Sequence, residues 1–415
     1  MRYLLVSPIP FVRQHANMVM LDGLWAEDLR GLVASIGPVT VAAPELRFDE
    51  VRSWGPGFET LSSKDSITFL SLPNRKGRLD FRYYLRLRPI LRDAVVNADI
   101  VHSSNLFRPD IPLYYAHDLA VRMKKKTLFV VAEDFYDMQL WEWIRIKPHR
   151  LKRWYGQWVL RQLDRHVQRR VRTSSLTFLH TPAAVARYRA FATNAVAIRQ
   201  PLHERRDVIE PDRFAAKCEG IRSNEPLVLC AACRMESLKG VDFVVRAVAI
   251  LKQRGIFVRA LLYGDGQRLA SFKDLAGRLG VSDRVDFPGA LAPANVLREA
   301  LANGHIFLMP HLTNDFGRAF FEAIAAGSPV IAFRSIASED TIRHGVDGLI
   351  TPNADDEGLA DGIARFHFDR EMLIRSAHAA RARALENTKT FWNAYRAEMI
   401  RDLFESSTSI DRAKL

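Results

Sequence analysis

Cysteine is scarce in this sequence, with only 3 among 415 residues, and the short apolar run at residues 3–6 is not expected to act as a secretory leader. A small, odd number of cysteines does not build a disulfide framework, so we expect a reducing, cytoplasmic compartment. Cys230 and Cys233 form a C-x-x-C pair, but their apolar surroundings are typical of a buried strand, in which positions i and i+3 point to opposite faces. We therefore predict neither a redox centre nor a metal site from this pair.

Long hydrophobic runs are missing as well. No stretch reaches the roughly 18 uncharged apolar residues that a membrane-spanning helix needs. A content of 48% hydrophobic and 26% charged residues is typical of a globular protein and excludes a disordered or low-complexity chain. We predict two domains and a protein that is cytoplasmic or lies peripherally on the inner face of the membrane.

Acidic residues are outnumbered by basic residues in the first half of the chain only. The sequence has 60 Lys and Arg against 47 Asp and Glu, a net charge of +13. Residues 1–200 hold 31 basic and 18 acidic residues, which leaves 29 of each for residues 201–415. Because the whole excess lies in the first half, that half is expected to meet an anionic partner such as a membrane surface, a nucleic acid or an acidic glycan.

Aromatic and basic residues alternate most clearly over residues 143–160, which predict a basic amphipathic helix. Such a helix suits a membrane interface with anionic lipids. The alternative is an arginine-rich helix that is held to its own domain by its Trp side chains, because long side chains cover apolar surface. The sequence leaves both open.

Short apolar runs separated by helical stretches recur along the chain, a pattern typical of βα units with a parallel sheet. The predicted strands lie at residues 4–7, 39–43, 67–72, 100–102, 127–132, 176–180, 227–231, 260–263, 284–287, 306–309, 330–333 and 348–350. We predict an α/β protein with two doubly wound, Rossmann-like domains facing across a cleft. Their bounds are residues 1–200 and 227–389, with residues 201–226 as a linker.

Three loops of the second half place glycine or positive charge at the ends of predicted strands. Arg234 and Lys239 follow the first of these strands, and two cations on one loop suit a pyrophosphate. Gly264 and Gly266 end the next strand and suit a nucleotide base lying against the backbone. Gly317 precedes a helix predicted to begin near residue 318, where exposed amides and the helix dipole favour a phosphate.

These loops, in this order and spacing, resemble the retaining GT-B glycosyltransferases of the large bacterial family that builds polysaccharides and glycolipids from nucleotide sugars, the glycosyl transferases group 1. The similarity covers residues 227–352. The matching segments are Cys233-Arg-Met, Lys239-Gly, Gly264 to Gly266, Val285-Asp-Phe-Pro-Gly289, the turn and helix from Gly317 to Glu322, and Asp340-Thr-Ile-Arg-His-Gly-Val-Asp-Gly348. The resemblance implies the GT-B fold, whose last helix, residues 390–415 here, crosses back to the acceptor-binding first domain.

The resemblance also implies a hexosyltransferase that uses a nucleoside diphosphate sugar as donor and needs no metal or other cofactor. Arg234 and Lys239 would hold the leaving diphosphate, where preorganised cations stabilise the developing negative charge. Glu322 would accept hydrogen bonds from the ribose hydroxyls. The donor-binding residues implied in this way are Gly264, Gly266, Asn314, Asp315, Phe316, Gly317, Arg318 and Glu322.

Two neighbouring positions depart from the family pattern. The first glutamate of the family, eight residues before Glu322, is Asn314 here, and Asp315 stands where a glycine is usual. An amide can hydrogen-bond sugar hydroxyls, but it supplies no full negative charge to an oxocarbenium-like transition state. Either the donor sugar differs, Asp315 substitutes for the glutamate, or turnover is weak.

The first half matches the family less well. Residues 8–17 stand where members often carry Gly-Gly, and we interpret them as a loop that shapes a different acceptor pocket. Glu133 and Asp134 follow a predicted strand, where carboxylates would orient or deprotonate an acceptor hydroxyl as catalytic residues. The alternative is a solvated or helix-capping acidic loop. His102 and His117 are attributed to packing.

Three functions are therefore compared. The first is a retaining, metal-independent transferase that moves a hexose to a glycan or lipid-linked acceptor, with an anionic membrane surface as a further partner. The second is a catalytically weak nucleotide-sugar-binding scaffold of the same fold, suggested by Asn314. The third, nucleic-acid binding, rests on charge alone and lacks a recognition motif, so no nucleic acid is expected among the partners.

Overall fold

The computed structural model describes residues 1–15, 18–51, 58–74, 81–105, 111–132, 150–223, 225–291, 294–314 and 317–412. The chain divides into two compact units. The first holds Met1–Ile198 together with Asn393–Leu415, and the second holds Arg199–Trp392.

A mixed sheet forms the centre of the first unit. Its strands in the described residues are β1 (Tyr3–Val6), β2 (Phe11–His15), β3 (Met18–Asp22), β4 (Val39–Leu46), β5 (Phe58–Ser62), β6 (Ile67–Leu72), β7 (Ile100–Ser104), β8 (Lys126–Val131), β9 (Leu176–Leu179) and β10 (Ala195–Ala197). Their order is β10-β9-β8-β7-β1-β4-β2-β3-β5, with β6 paired to β4. The pairings from β10 to β4 and between β4 and β6 are parallel, in agreement with the predicted βα pattern.

One part of this sheet differs from the prediction. Residues 8–17 are predicted as a loop, but β2 lies within them and pairs antiparallel with β3, which in turn pairs antiparallel with β5. Phe11 and Val12 are buried. Phe11 and Val12 pair with Glu45 and Leu46 of β4, and β3 pairs with β2 on the other side, so the strand depends on partners that the local sequence does not reveal.

Helices of the first unit are α1 (Gly23–Ile36), α2 (Phe81–Asn97), α3 (Ile111–Arg122), α4 (Arg150–Thr173) and α5 (Pro182–Tyr188). Their ends follow ordinary capping chemistry. The Asp22 side chain accepts a hydrogen bond from Trp25 N at the start of α1, and Thr181 caps α5, which begins with proline. Leu91 of α2 and Phe129 of β8 lie in the buried core of this unit.

The second unit is built on a parallel sheet whose order confirms the predicted doubly wound arrangement. Its strands are β11 (Leu227–Ala232), β12 (Val258–Tyr263), β13 (Val285–Gly289), β14 (Ile306–Met309), β15 (Val330–Phe333) and β16 (Gly348–Thr351). The order β13-β12-β11-β14-β15-β16 reverses direction between β11 and β14, as in Rossmann-type sheets. Their side chains are mostly buried, as expected for strands covered on both faces.

Helices cover this sheet and complete its core. They are α6 (Pro211–Arg222), α7 (Val241–Gln253), α8 (Leu269–Arg278), α9 (Ala294–Ala302), α10 (Ala319–Ala325), α11 (Ile336–Thr341), α12 (Asp356–Phe368) and α13 (Arg370–Glu386). Phe307, Phe320, Phe333 and Phe366 are fully buried in the core of this unit. The last helix, α14 (Lys389–Arg412), begins in the second unit, and its residues from Asn393 onward belong to the first.

The predicted linker 201–226 is wrong for about half of its length, because it contains α6. Phe214, Cys218 and Ile221 of this helix are buried in the core of the second unit. Their spacing of four and three residues is helical, and Pro211 at the first helical position is a start signal. The charged residues between these positions conceal the pattern in the sequence.

Candidate functional site

The sheet of the second unit places two of the three predicted loops side by side. In parallel sheets the loops after the strands all leave from the carboxyl edge, and ligands bind where the strand order reverses. That point lies between β11 and β14, which pair directly. The loop after β11 carries Arg234 and Lys239, and the loop after β14 carries Gly317.

A backbone hydrogen bond joins these two loops. Leu312 N donates to Leu238 O at 3.0 Å. Gly240 has φ +67°, and a β-carbon there would overlap Pro310 O, so only glycine allows this approach. Lys239 is partly buried on a short 3-10 turn, Ser237–Lys239. Arg234 is exposed and forms an ion pair with Glu236 at 3.0 Å.

The glycine loop after β12 packs against the first loop from the other side. Cys233 N donates to Tyr263 O at 3.1 Å, and Met235 N donates to Asp265 O at 2.8 Å. Gly264 has φ +136°, and a β-carbon there would overlap Cys233 O. Gly266 likewise lies against the Met235 backbone. The three loops predicted from sequence are thus one contiguous structure. Packing within the unit is enough to require glycine at positions 264 and 266.

Gly317 differs from those glycines. A β-carbon at this position would make only ordinary contacts, the nearest with the His311 ring at 3.5 Å. Packing within the unit therefore does not require glycine here. Arg318, the next residue, is exposed and precedes α10. Asp315 and Phe316 lie outside the described residues, and their assignment stays a prediction.

Glu322 is buried on α10, at 3% exposure. Its Oε2 accepts a hydrogen bond from Arg298 Nη1 at 3.1 Å, and Arg298 Nη2 donates to Asp207 Oδ1 at 3.1 Å. Burial raises the pKa of the Glu322 carboxyl, and the positive charge of Arg298 opposes that rise. Oε1 of Glu322 is buried and has no hydrogen-bond partner among the described residues.

Arg298 and Asp207 are not among the site residues that the sequence predicts. Arg298 lies on α9 in a stretch without any motif, and Asp207 lies in a 3-10 turn, Arg205–Asp207, inside the predicted linker. No local pattern relates either residue to Glu322, because they are 24 and 115 positions away from it in the chain. Only the tertiary structure joins the three.

The remaining candidate residues of the first half separate into two groups. Glu133 and Asp134 lie outside the described residues, so their role with the acceptor stays a prediction. His102 hydrogen-bonds Tyr3 through Nδ1 at 2.8 Å, and His117 is fully buried against Phe129. Burial lowers the pKa of both imidazoles to about 3, so they are neutral near pH 7.

Cys230 is buried within β11 and Cys233 follows the strand, partly buried. Burial raises the pKa of the Cys230 thiol to about 12 and of the Cys233 thiol to about 11. Both thiols are therefore protonated near pH 7, which is unfavourable for nucleophilic or metal-ligand chemistry. Among the described residues, no group of three or more His, Cys, Asp and Glu side chains has an arrangement that could hold a metal ion.

Known proteins resemble this chain most clearly in the second unit. Residues 226–369 match the family of Glycosyl transferases group 1. A GDP-mannose-dependent alpha-(1-6)-phosphatidylinositol monomannoside mannosyltransferase of Mycobacterium tuberculosis is 31% identical over 189 residues, covering 42% of this chain and 48% of that protein. The chain thus matches about half the length of such curated relatives.

Solved structures resemble the chain over nearly its whole length. The Alr3699/HepE protein of Anabaena in complex with UDP has a TM-score of 0.67 and 16% identity, covering 97% of this chain and all of that one. Sucrose-phosphate synthase of Thermosynechococcus elongatus has a TM-score of 0.66 and 14% identity, covering 98% of this chain and 99% of that one. At such low identity the similarity shows the fold alone.

None of the helices in the described part of the chain combines the length and the apolar character needed to cross a membrane. The strand order of the second unit, its three joined loops and these similarities agree with one another. The chain has the GT-B fold, and its residues 226–369 are similar to the glycosyl transferases group 1.

Proposed function

We propose that this protein transfers a hexose from a nucleoside diphosphate sugar to a glycan or lipid-linked acceptor, with retention of configuration and without a metal ion. The observation that carries the proposal is the joining of three loops at the carboxyl edge of one sheet. Arg234, Lys239 and Gly317 lie on two of these loops, and Leu238 and Leu312 hydrogen-bond those two together. Retention follows from the family resemblance.

The chemistry of the leaving group explains why cations are needed there. Cleavage of the bond between sugar and diphosphate leaves negative charge on the departing oxygen. Arg234 and Lys239 would stabilise that charge, and a diphosphate would replace Glu236 as the partner of Arg234, because the existing ion pair is exposed and weak. Room beside the Gly317 backbone would allow its amide to face a phosphate oxygen.

The test is turnover with a panel of UDP, GDP and ADP sugars, measured as released nucleoside diphosphate with and without an acceptor extract. Arg234→Ala and Lys239→Ala should each lower turnover by about two to three orders of magnitude, since each removes a charge that faces the leaving group. Arg259→Ala is the matched control, because Arg259 is an exposed arginine of the same unit that pairs with Asp286. Near-normal rates in both loop variants would contradict the donor-site assignment.

The alternative is a nucleotide-sugar-binding scaffold with little turnover. One observation favours it: Asn314 Oδ1 accepts a hydrogen bond from Ile336 N, so this residue takes part in the structure of the unit and carries no charge. A scaffold would shift its melting temperature with a nucleotide sugar, because ligands stabilise the state they bind. It would release little or no diphosphate in any acceptor extract.

We further propose that an anionic membrane surface is a partner, through the outer face of α4. Trp154, Tyr155 and Trp158 are 66%, 55% and 50% exposed, which argues against the alternative that the Trp side chains hold this helix to its domain. Arg161 and Arg165 continue the same face and are exposed. Aromatic rings beside arginines suit the boundary between acyl chains and anionic headgroups.

The opposite face of α4 explains why the helix stays in place while its aromatics are exposed. Leu160, Val167 and Val171 are buried. Asp164, the one acidic residue of the helix, accepts a hydrogen bond from Tyr188 OH at 2.7 Å, so it faces its own unit. The outer face therefore lacks acidic side chains over the described positions 154–173.

A further inference from the structure

We propose that Arg298 is a positioning residue for donor binding: together with Asp207 it fixes the Glu322 carboxylate so that Oε1 accepts a hydrogen bond from a ribose hydroxyl. This inference rests on the proposed function and names two residues that the family resemblance did not supply. All three side chains belong to the second unit.

The geometry is that of one guanidinium held between two carboxylates. Nη1 of Arg298 donates to Glu322 Oε2 and Nη2 donates to Asp207 Oδ1, each at 3.1 Å. Asp207 is itself fixed, because its Oδ2 accepts a hydrogen bond from Glu204 N at 2.8 Å. The side chains of Arg298 and Glu322 are only 15% and 4% exposed. The ion pair therefore holds the Glu322 carboxylate through Oε2 and does not use Oε1.

The oxygen Oε1 of Glu322, which the ion pair does not use, is the feature that points to a ligand. An arginine that pairs with a single carboxylate frequently binds both of its oxygens in parallel. Here the guanidinium is divided between two acids, and Glu322 Oε1 is left buried with no donor among the described residues. A buried acceptor without a donor costs free energy until a donor arrives.

The chemistry of Oε1 restricts the class of ligand. A carboxylate oxygen accepts hydrogen bonds and repels anions, so a phosphate oxygen does not fit and a hydroxyl does. Burial favours the neutral acid and raises the pKa of Glu322, whereas Arg298 favours the charged form. Arg298 thus keeps the stronger acceptor in place, and Asp207 keeps Arg298 oriented.

The experiment compares two ligands that differ only in the ribose hydroxyls. Isothermal titration measures the Kd of UDP or GDP, whichever binds more tightly, and of its 2′,3′-dideoxy analogue. The wild-type protein should prefer the natural nucleotide by roughly tenfold or more, the value of a hydrogen bond to a charged group. Arg298→Met should reduce this preference to about threefold or less, with little change in the Kd of the dideoxy analogue.

Two further variants separate positioning from folding. Asp207→Asn keeps an acceptor for Arg298 but removes the charge, so an intermediate preference is expected even if Arg298→Met fails to fold. Arg213→Met is the control and should leave the preference unchanged. Arg213 is an exposed residue of α6 that pairs with Glu299, which lies on the same helix as Arg298. Raising the pH should restore part of the preference in Arg298→Met, because the carboxyl then ionises without its arginine.

The outcomes distinguish this inference from the function on which it rests. Full preference in Arg298→Met and Asp207→Asn would overturn the positioning role and leave the donor site intact. An equal loss of affinity for both ligands would also overturn it, since that result indicates a general structural role. Absence of any preference in the wild-type protein would instead remove Glu322 from the ribose site and count against the proposed function.

Discussion

Asn314 Oδ1 accepts a hydrogen bond from the backbone N–H of Ile336 at 2.9 Å. Ile336 is the first residue of α11, whose N-cap Ser335 accepts from Ser338 N at 3.0 Å. The loop after β14 is therefore tied to the loop after β15. Asn314, which stands where the resembled family has a glutamate, thus contributes to the structure at the edge where the donor is proposed to bind.

We predict that Asn314→Ala lowers the free energy of unfolding by about 1 kcal/mol, the usual value of one lost hydrogen bond. Asn314→Asp keeps an acceptor for Ile336 N and should lose less. It also places a carboxylate at the glutamate position, so its turnover should equal or exceed that of the wild-type protein. Urea denaturation and initial rates check both statements. Equal destabilisation by the two substitutions would contradict the role of Oδ1.

Gly240 and Gly280 offer a matched pair of substitutions. Both have left-handed backbones, with φ +67° and +65°, but a β-carbon at Gly240 would overlap Pro310 O whereas one at Gly280 meets nothing. Gly280→Ala should cost only the backbone strain, about 1 to 2 kcal/mol. Gly240→Ala should cost more and also weaken nucleotide binding, because the Lys239 loop must move. Melting temperatures and nucleotide Kd values test this, and equal effects at both positions would contradict it.

The outer face of α4 predicts binding to vesicles that contain anionic lipid. The wild-type protein should co-sediment with phosphatidylcholine vesicles that include phosphatidylglycerol, and less with phosphatidylcholine alone. Combined Trp154→Ala and Trp158→Ala should reduce binding at least tenfold, because apolar ring area is removed from the interface. Arg161→Gln with Arg165→Gln should lower affinity by about 2 kcal/mol, roughly 1 per charge.

A control for that experiment is Arg254→Gln, an exposed arginine of the second unit that pairs with Glu357 and Asp361. It should leave vesicle binding unchanged. Equal sedimentation with neutral and anionic vesicles, or no effect of the paired Trp substitutions, would exclude α4 as the docking surface. Salt should weaken the arginine contribution, since exposed charges are screened.

His117 predicts a loss of stability in acid. Its ring is fully buried, with Nε2 3.2 Å from Thr173 Oγ1, and burial lowers its pKa from 6.5 to about 3, with Arg170 adding to the effect. Above pH 6.5 the imidazole is neutral in both folded and unfolded chains, so stability is complete there. Between pH 6.5 and 3 only the unfolded chain binds the proton, so the stability of the folded protein decreases as the pH is lowered.

At pH 4.5 this single group should cost about 2 to 3 kcal/mol relative to pH 7.5. The measurement is the melting temperature of the wild-type protein and of His117→Gln from pH 4.5 to 7.5. The substitution lowers stability near neutral pH, but its melting temperature should depend less steeply on pH. Parallel curves for the two proteins would show that His117 does not remain neutral when the protein is folded.

The sequence by itself determined much of the second unit. Each of its predicted strands lies within two residues of an observed one, because a strand covered on both faces leaves a continuous apolar run. The loops with Arg234, Gly264 and Gly317 were also evident, since glycine and charge at a strand end form a local signal. Parallel strands then bring such loops to one edge without further information.

Only the tertiary structure decided what these residues contact. Asn314 meets Ile336 across 22 positions, and Arg298 meets Glu322 across 24 and Asp207 across 91, separations at which periodicity carries no information. The helix Pro211–Arg222 and the strand Phe11–His15 likewise depend on neighbours far along the chain. Local patterns encode which face of an element is buried, whereas hydrogen-bond partners depend on where distant elements pack.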